Sequence, residues 1–185
     1  MQAAITPAML WTLLGAVVYP LWLLAGVADV WVHRRDRIEL HTGTHESWMH
    51  VAMCVQMGIP VLLVLFLEVT APVFLIAAAA VLVHGWTSWR DSRFADRVRH
   101  IGPGEQKIHV ALDAIPWVAL ALLAMLYAPV LRGLVGPGDA DWRWRLRDPA
   151  FPPAVVATVV ATSLLLGLLP SVLELLRARR ATAAL

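Results

Sequence analysis

Residues 48–89 read WMHVAMCVQMGIPVLLVLFLEVTAPVFLIAAAAVLVHGWTSW, and the reading of this stretch decides the fold. It contains two apolar runs, 48–67 and 72–89, separated only by Glu68, Val69, Thr70 and Ala71. An α-helix needs about 20 mostly apolar residues to cross a hydrocarbon core of roughly 30 Å, and each run is near that length. So short a break joins them as a tight antiparallel hairpin. Neither run shows the polar–apolar alternation of a barrel strand, so helices are expected.

Three further runs, 9–31, 108–131 and 154–173, are of the same kind. No basic residue precedes the first and Asp29 lies near its end, so it reads as a span and not as a cleavable signal peptide. The expectation is an all-α integral membrane protein, a single transmembrane helical domain over residues 1–185 with about five spans. Composition agrees: 59% of residues are hydrophobic and 15% charged, where soluble domains are nearer half and a quarter. A formal charge of +2 and the lack of any such motif exclude a nucleic-acid binder. A single cysteine, Cys54, excludes an intramolecular disulfide and a cysteine zinc site, and reads as a buried thiol.

Basic residues set the direction of the spans. Arg34, Arg35 and Arg37 follow the first span. Arg90, Arg93, Arg97, Arg99 and Lys107 follow the third, and Arg177, Arg179 and Arg180 follow the fifth. These eleven share one side, against four (Arg132, Arg143, Arg145 and Arg147) on the other. The N-terminus is therefore expected outside and the C-terminus in the cytosol. Asp141-Trp142-Arg143-Trp144-Arg145 reads as a segment at the outer interface, and the nine tryptophans mostly as interfacial anchors.

The histidines cluster at the cytosolic side. Asp29 and His33, Glu46 and His50, and Glu105 and His109 are carboxylate–histidine pairs four residues apart, and Asp113 lies a further four beyond His109. On a helix, positions i and i+4 share one face, so each pair presents an oxygen and a nitrogen toward one point. His84 brings a fourth helix to the same depth, while the fifth span contributes nothing of this kind. Polar groups inside a span are costly, and metal ions would offset that cost. The expected site lies between the cytosolic ends of helices 1–4. Its metal ligands are Asp29, His33, Glu46, His50, His84, Glu105, His109 and Asp113, with Glu39 and Asp91 as additional or supporting acids. Glu46 and Glu105 also suit first helical turns, where an acid complements the dipole. His41, His45 and His100 read as solvated loop residues, Asp36 and Asp96 as surface ion pairs. Arg34 and Arg97 are placed to touch a headgroup or an anionic substrate.

Imidazole and carboxylate ligands without thiolate suit iron, manganese or zinc. Eight candidates exceed what one tetrahedral zinc needs and suit two bridged metal ions, iron first among them. The chain carries no flavin, ferredoxin or haem-attachment motif, so electrons would come from an external donor. The expectation is a diiron oxidoreductase using dioxygen on a lipid-like or other hydrophobic substrate at the cytosolic interface. A zinc-dependent hydrolase of lipid amides or esters is the alternative. A b-type haem protein held by His50, His84 and His109, or a structural metal-binding protein, comes after it. Partner copies could pack on the fifth span through Ala157, Ala161 and Gly167.

At class level the arrangement resembles the histidine-rich membrane diiron hydroxylases and desaturases, although no two histidines are adjacent here. The runs ADVWVHRRDRIEL (28–40), THESWMH (44–50), VLVHGWTSWRD (81–91) and EQKIHVALDAIPW (105–117) are more closely similar to a family of small bacterial integral-membrane proteins. That resemblance covers residues 28–117 and implies that Asp29, His33, Glu39, Glu46, His50, His84, Asp91, Glu105, His109 and Asp113 belong together. It implies no activity.

Overall fold

A computed structural model describes residues 5–136 and 138–183; the outermost ends of the single domain expected over 1–185 lie outside the described residues. Five helices are long and apolar enough to cross a membrane: α1 (Pro7–Asp36), α2 (Gly43–Phe66), α3 (Ala71–Val98), α4 (Pro103–Leu126) and α6 (Pro153–Ala183). A short helix, α5 (Ala128–Val135), follows α4. The chain is an all-α, multi-pass membrane protein. Large apolar side chains such as Leu21, Leu24, Leu62, Leu82, Val110 and Leu165 stand exposed on the helix surfaces, where lipid is their solvent.

The 72–89 run continues unbroken to Val98, carrying Asp91 and three arginines of the expected loop, Arg90, Arg93 and Arg97, on helix. The expected fourth span, 108–131, is divided: α4 ends at Leu126, Tyr127 leaves helical geometry, and Pro129 opens α5 in its first turn. The expected fifth span stops at 173, but α6 runs to Ala183 and brings its arginines and Glu174 onto helix.

Proline shapes the two outermost spans. Pro20 and Pro170 lack an N–H and crowd the preceding turn. In both helices a π turn, Leu14–Val18 and Ser163–Leu168, precedes the proline, a widening that accommodates the ring. The Tyr19 hydroxyl donates to the Val159 carbonyl at 2.9 Å and meets the Thr162 and Ser163 hydroxyls at 2.7 and 2.9 Å. α1 and α6 are thus tied where a backbone group in lipid has no water to satisfy it.

At the arginine-rich end, Arg37 takes a left-handed conformation that ends α1. Ile38, fully buried, anchors the connection to α2. Gly43 has φ +60°, a geometry that favours glycine, and opens α2. At the opposite end, residues 141–147 are extended and bonded to the α2–α3 turn. The Glu68 N–H donates to Arg145 O, Ala71 N–H to Asp141 O, and Arg147 N–H to Phe66 O. The expected interfacial segment is therefore a strap across the bundle mouth, with Trp142 and Trp144 exposed.

Candidate metal centre

Each helix end delivers its polar residues for a local reason. Pro103 at the first turn of α4 sets Glu105 two residues further on, beside the unpaired N–H groups that favour an acid. Glu46 occupies the first turn of α2 in the same way. The i, i+4 spacing then projects His33, His50 and His109 to the faces of Asp29, Glu46 and Glu105. All five spans converge here, and Asp29, His33, Glu46, His50, Asp91, Glu105 and Glu174 are buried.

Two acids and two imidazoles meet first, at His33 Nε2, Asp29 Oδ1, Glu105 Oε1 and His109 Nε2. His33 Nε2 lies 3.5 Å from Asp29 Oδ1 and 3.3 Å from Glu105 Oε1, and His109 Nε2 lies 3.2 and 3.9 Å from the same two oxygens. His33 Nε2 and Asp29 Oδ1 are both buried, yet neither has a hydrogen-bond partner among the described residues. Metal–ligand bonds of about 2.0–2.2 Å would set ligand atoms roughly 3.3–3.6 Å apart around a tetrahedral ion. The observed separations bracket that range.

A second group adjoins the first. His50 Nε2 is 3.2 Å from Asp91 Oδ2, and Glu46, His50 and Asp91 offer ligand atoms within 4.8 Å of one another. Asp29, His33 and His50 form a third such group, so Asp29 is within reach of His50 as well as of His33 and His109. The His33 and His50 rings stack at 4.8 Å, tilted by only 10°.

Glu174 explains that stacking. Its Oε2 is 3.2 Å from His33 Nδ1 and its Oε1 2.7 Å from His50 Nδ1. One fully buried carboxylate thus engages both Nδ1 atoms and turns both Nε2 atoms toward the other acids. A neutral imidazole has one N–H. With both Nδ1–H groups donating to Glu174, the Nε2 lone pairs of His33 and His50 face carboxylate oxygens, an arrangement that suits a cation between. Carboxylates placed behind histidine ligands in this way fix the tautomer and raise ligand basicity. The expectation that the fifth span contributes nothing to the cluster is corrected: α6 supplies Glu174, one residue past the expected end of the span. An acid in LPSVLELLRARR, at the depth where the arginines begin, was the available signal.

Arg99 was expected to act in topology, and the structure gives it a buried role. It donates from Nη2 to Glu46 Oε1 at 2.6 Å and from Nη1 to Glu105 Oε2 at 2.9 Å, and also pairs with Glu105 Oε1. Burial opposes its charge, but the hydrogen bonds to Glu105 and Glu46 outweigh this and hold the guanidinium well above its ordinary range. Five buried carboxylates (Asp29, Glu46, Asp91, Glu105 and Glu174) against one buried guanidinium leave an excess of four negative charges when the histidines are neutral. Two divalent cations would balance that excess.

The remaining candidates are placed as follows. His84 is buried, and neither ring nitrogen has a hydrogen-bond partner among the described residues. It faces a cavity of about 80 Å³ shared with Asp29, His50, Asp91 and His109. Asp113 sits one turn deeper than His109, outside the three ligand groups, with a buried and unpartnered Oδ1. Glu39, half-buried on the Ile38–Leu40 turn, likewise stands outside them. Arg34 and Arg97 are exposed at the arginine-rich end, as are His41, His45 and His100. His45 belongs to α2, not to a loop, and its ring packs against Phe94 at 4.4 Å. Cys54 is half-buried, with Sγ 3.4 Å from the Ser171 hydroxyl. Comparison with protein-family models, curated proteins and solved structures finds no match.

Proposed function

We propose that this protein is a membrane-embedded dinuclear metal oxidoreductase, with iron as its metal, working at the cytosolic face of a bacterial inner membrane. The observation that carries this reading is the pair His33 Nε2 and Asp29 Oδ1, buried, 3.5 Å apart and without hydrogen bonds among the described residues. Asp29, His33, Glu105 and His109 would hold one ion; His50 and Asp91, with Glu46 or His84, the other. Two irons bound there would supply dioxygen activation.

The chain's own groups do the rest. Glu174 orients His33 and His50 through their Nδ1 atoms, and Arg99 holds Glu46 and Glu105 in place on the solvent side. His84, unpartnered and facing the small cavity, is positioned to move a proton at its ring nitrogens. In a hydroxylation, one oxygen atom enters a C–H bond and the other leaves as water. A pair of electrons from an external donor and a pair of protons complete the balance. A lipid-like substrate would reach the cluster from the bilayer, with Arg34 and Arg97 at headgroup depth.

A zinc hydrolase is the second reading, favoured by His33, Glu105 and His109, whose ligand atoms lie within 4.8 Å of one another and match the three protein ligands of a catalytic zinc. The test is protein loaded with ferrous iron without oxygen, in lipid nanodiscs, then given dioxygen and a chemical reductant. Oxygen uptake by the iron-loaded protein, absent from zinc-loaded and metal-free samples, is expected. Hydrolysis of an acyl amide or ester by the zinc-loaded protein, with no oxygen uptake by the iron form, would transfer the assignment to the second reading.

A further inference from the structure

We infer that the bundle binds a single-chain amphiphile, its tail in an apolar chamber in the outer half and its polar end at the histidine–carboxylate cluster. The inference rests on the proposed reading of that cluster as the reactive site, and it names the shape and placement of the substrate.

Two cavities are stacked along the bundle axis. The smaller one, about 80 Å³, lies against the cluster, with His84, Ser88, Asp91 and Ser171 set among apolar side chains such as Leu23 and Leu112. The second, about 370 Å³, is apolar and lined by residues including Trp11, Gly15, Met57, Ala77, Ala119 and Val159. Each spanning helix keeps the same order: on α3, Ala77 and Val81 face the chamber, and His84, Ser88 and Asp91 face the smaller cavity. Trp22 alone lines both. Its indole Nε1 is buried and has no hydrogen-bond partner among the described residues. This tryptophan is no interfacial anchor; it marks the junction and offers one N–H donor there.

Dimensions select the occupant. From Trp11 to Trp22, at about 1.5 Å per residue, the chamber runs roughly 16 Å, about half of a 30 Å hydrocarbon core. That length suits an extended acyl chain, and the lining is almost wholly apolar. An apolar void of this size is destabilising when empty, and hydrocarbon is the filling a bilayer provides.

The closed end fixes the direction. Arg147 lies 4.6 Å from the Phe151 ring and 5.6 Å from the Trp11 ring, and it donates to the Val64 carbonyl at 2.9 Å. Trp11 and Phe151 form the chamber wall beneath this plug. The guanidinium at that end is already engaged by the Val64 carbonyl and the two rings, whereas the end past Trp22 meets the unpartnered ring of His84. The polar end therefore lies past Trp22, against the cluster.

The probe is a hexadecanoic acid carrying a diazirine at its terminal carbon, photolysed with the full chain in nanodiscs and mapped by peptide mass spectrometry. Labels are expected on chamber residues far from the cluster, such as Val64 on α2 and Leu123 on α4. Gly15 lines the chamber and a Cβ there meets open space, so Gly15→Phe projects a ring into the chamber. It should cut labelling roughly tenfold or more, the equivalent of at least about 1.4 kcal/mol in binding. Ala119→Phe repeats the test on another helix. Labels spread evenly over lipid-facing Leu21, Leu24 and Val110 would overturn the proposal, as would equal chamber labelling by a two-chain phospholipid probe. If neither variant folds, the wild-type map decides between these outcomes. Metal content measured in the same samples separates the two readings. Chamber labelling without metal leaves the chamber standing and removes the metal site; metal without chamber labelling does the reverse.

Discussion

Ion pairs close both ends of this bundle and use the same residue types, but they live in different solvents. At the arginine-rich end the Arg99 side chain is 6% exposed, and Glu46 and Glu105 are 0% and 1%. At the other end Arg145 is 39% exposed and its partners Glu68 and Asp141 are 32% each. The distances are alike, 2.6 Å for Arg99–Glu46 and 2.6 Å for Arg145–Glu68. Length of contact therefore says little about consequence. A buried pair cannot lose one member without stranding the other in a medium that does not solvate it. An exposed pair can, because water takes the place of the lost partner.

The sharpest contrast comes from deleting one cation at each end. Arg99→Ala strands Glu46 and Glu105 and should cost on the order of 3–5 kcal/mol in stability. Arg145→Ala should cost roughly 0–1 kcal/mol. Unfolding of both variants in the same detergent measures this directly, and equal losses would break the comparison.

Glu174→Gln is a subtler break. It keeps shape and one hydrogen-bonding oxygen but removes the charge behind His33 and His50. Metal affinity should fall about 10–100-fold, as it does when supporting carboxylates are removed from metal-binding histidines. Competition with a coloured chelator reads this out, and unchanged affinity would reduce Glu174 to a packing residue.

The smallest effect belongs to the strap. The Arg143 backbone N–H and side chain, followed by Arg145, hold Asp141 down to about 2 from an ordinary 3.8. A depressed carboxyl supports the docked strap fully above its ordinary value, and that support is lost as pH falls through about 2. A spin label at Trp144 should gain mobility between about pH 4 and pH 2, and a label on α4 should not. A strap equally mobile at both values would show that Asp141 does not hold it.

The spans were legible because lipid-exposed helices are apolar all round, and run length alone reveals them. The i, i+4 pairs were legible because helical spacing fixes which side chains meet. Glu174 was not, since it stands alone in its helix with no histidine at i±4, and its partners come from α1 and α2. Nor was Arg99 separable from its exposed neighbours Arg93 and Arg97: which one turns inward depends on how α3 ends at Val98, a matter of tertiary packing. Trp22 carries the same lesson from the apolar side. Tryptophans gather at interfaces by preference, and only the packing of five helices shows one placed between two cavities.

The central claim, that these acids and imidazoles hold two metal ions, is tested most directly by plasma mass spectrometry. The sample is protein purified in mild detergent without chelator and loaded with ferrous iron. Wild type should bind about two irons per chain; His33→Ala should lose at least one, and His100→Ala none, since His33 is fully buried in the cluster and His100 is exposed. Metal-free wild type under iron, manganese and zinc loading alike would contradict the claim, leaving the cluster as a network of protonated histidines and carboxylates.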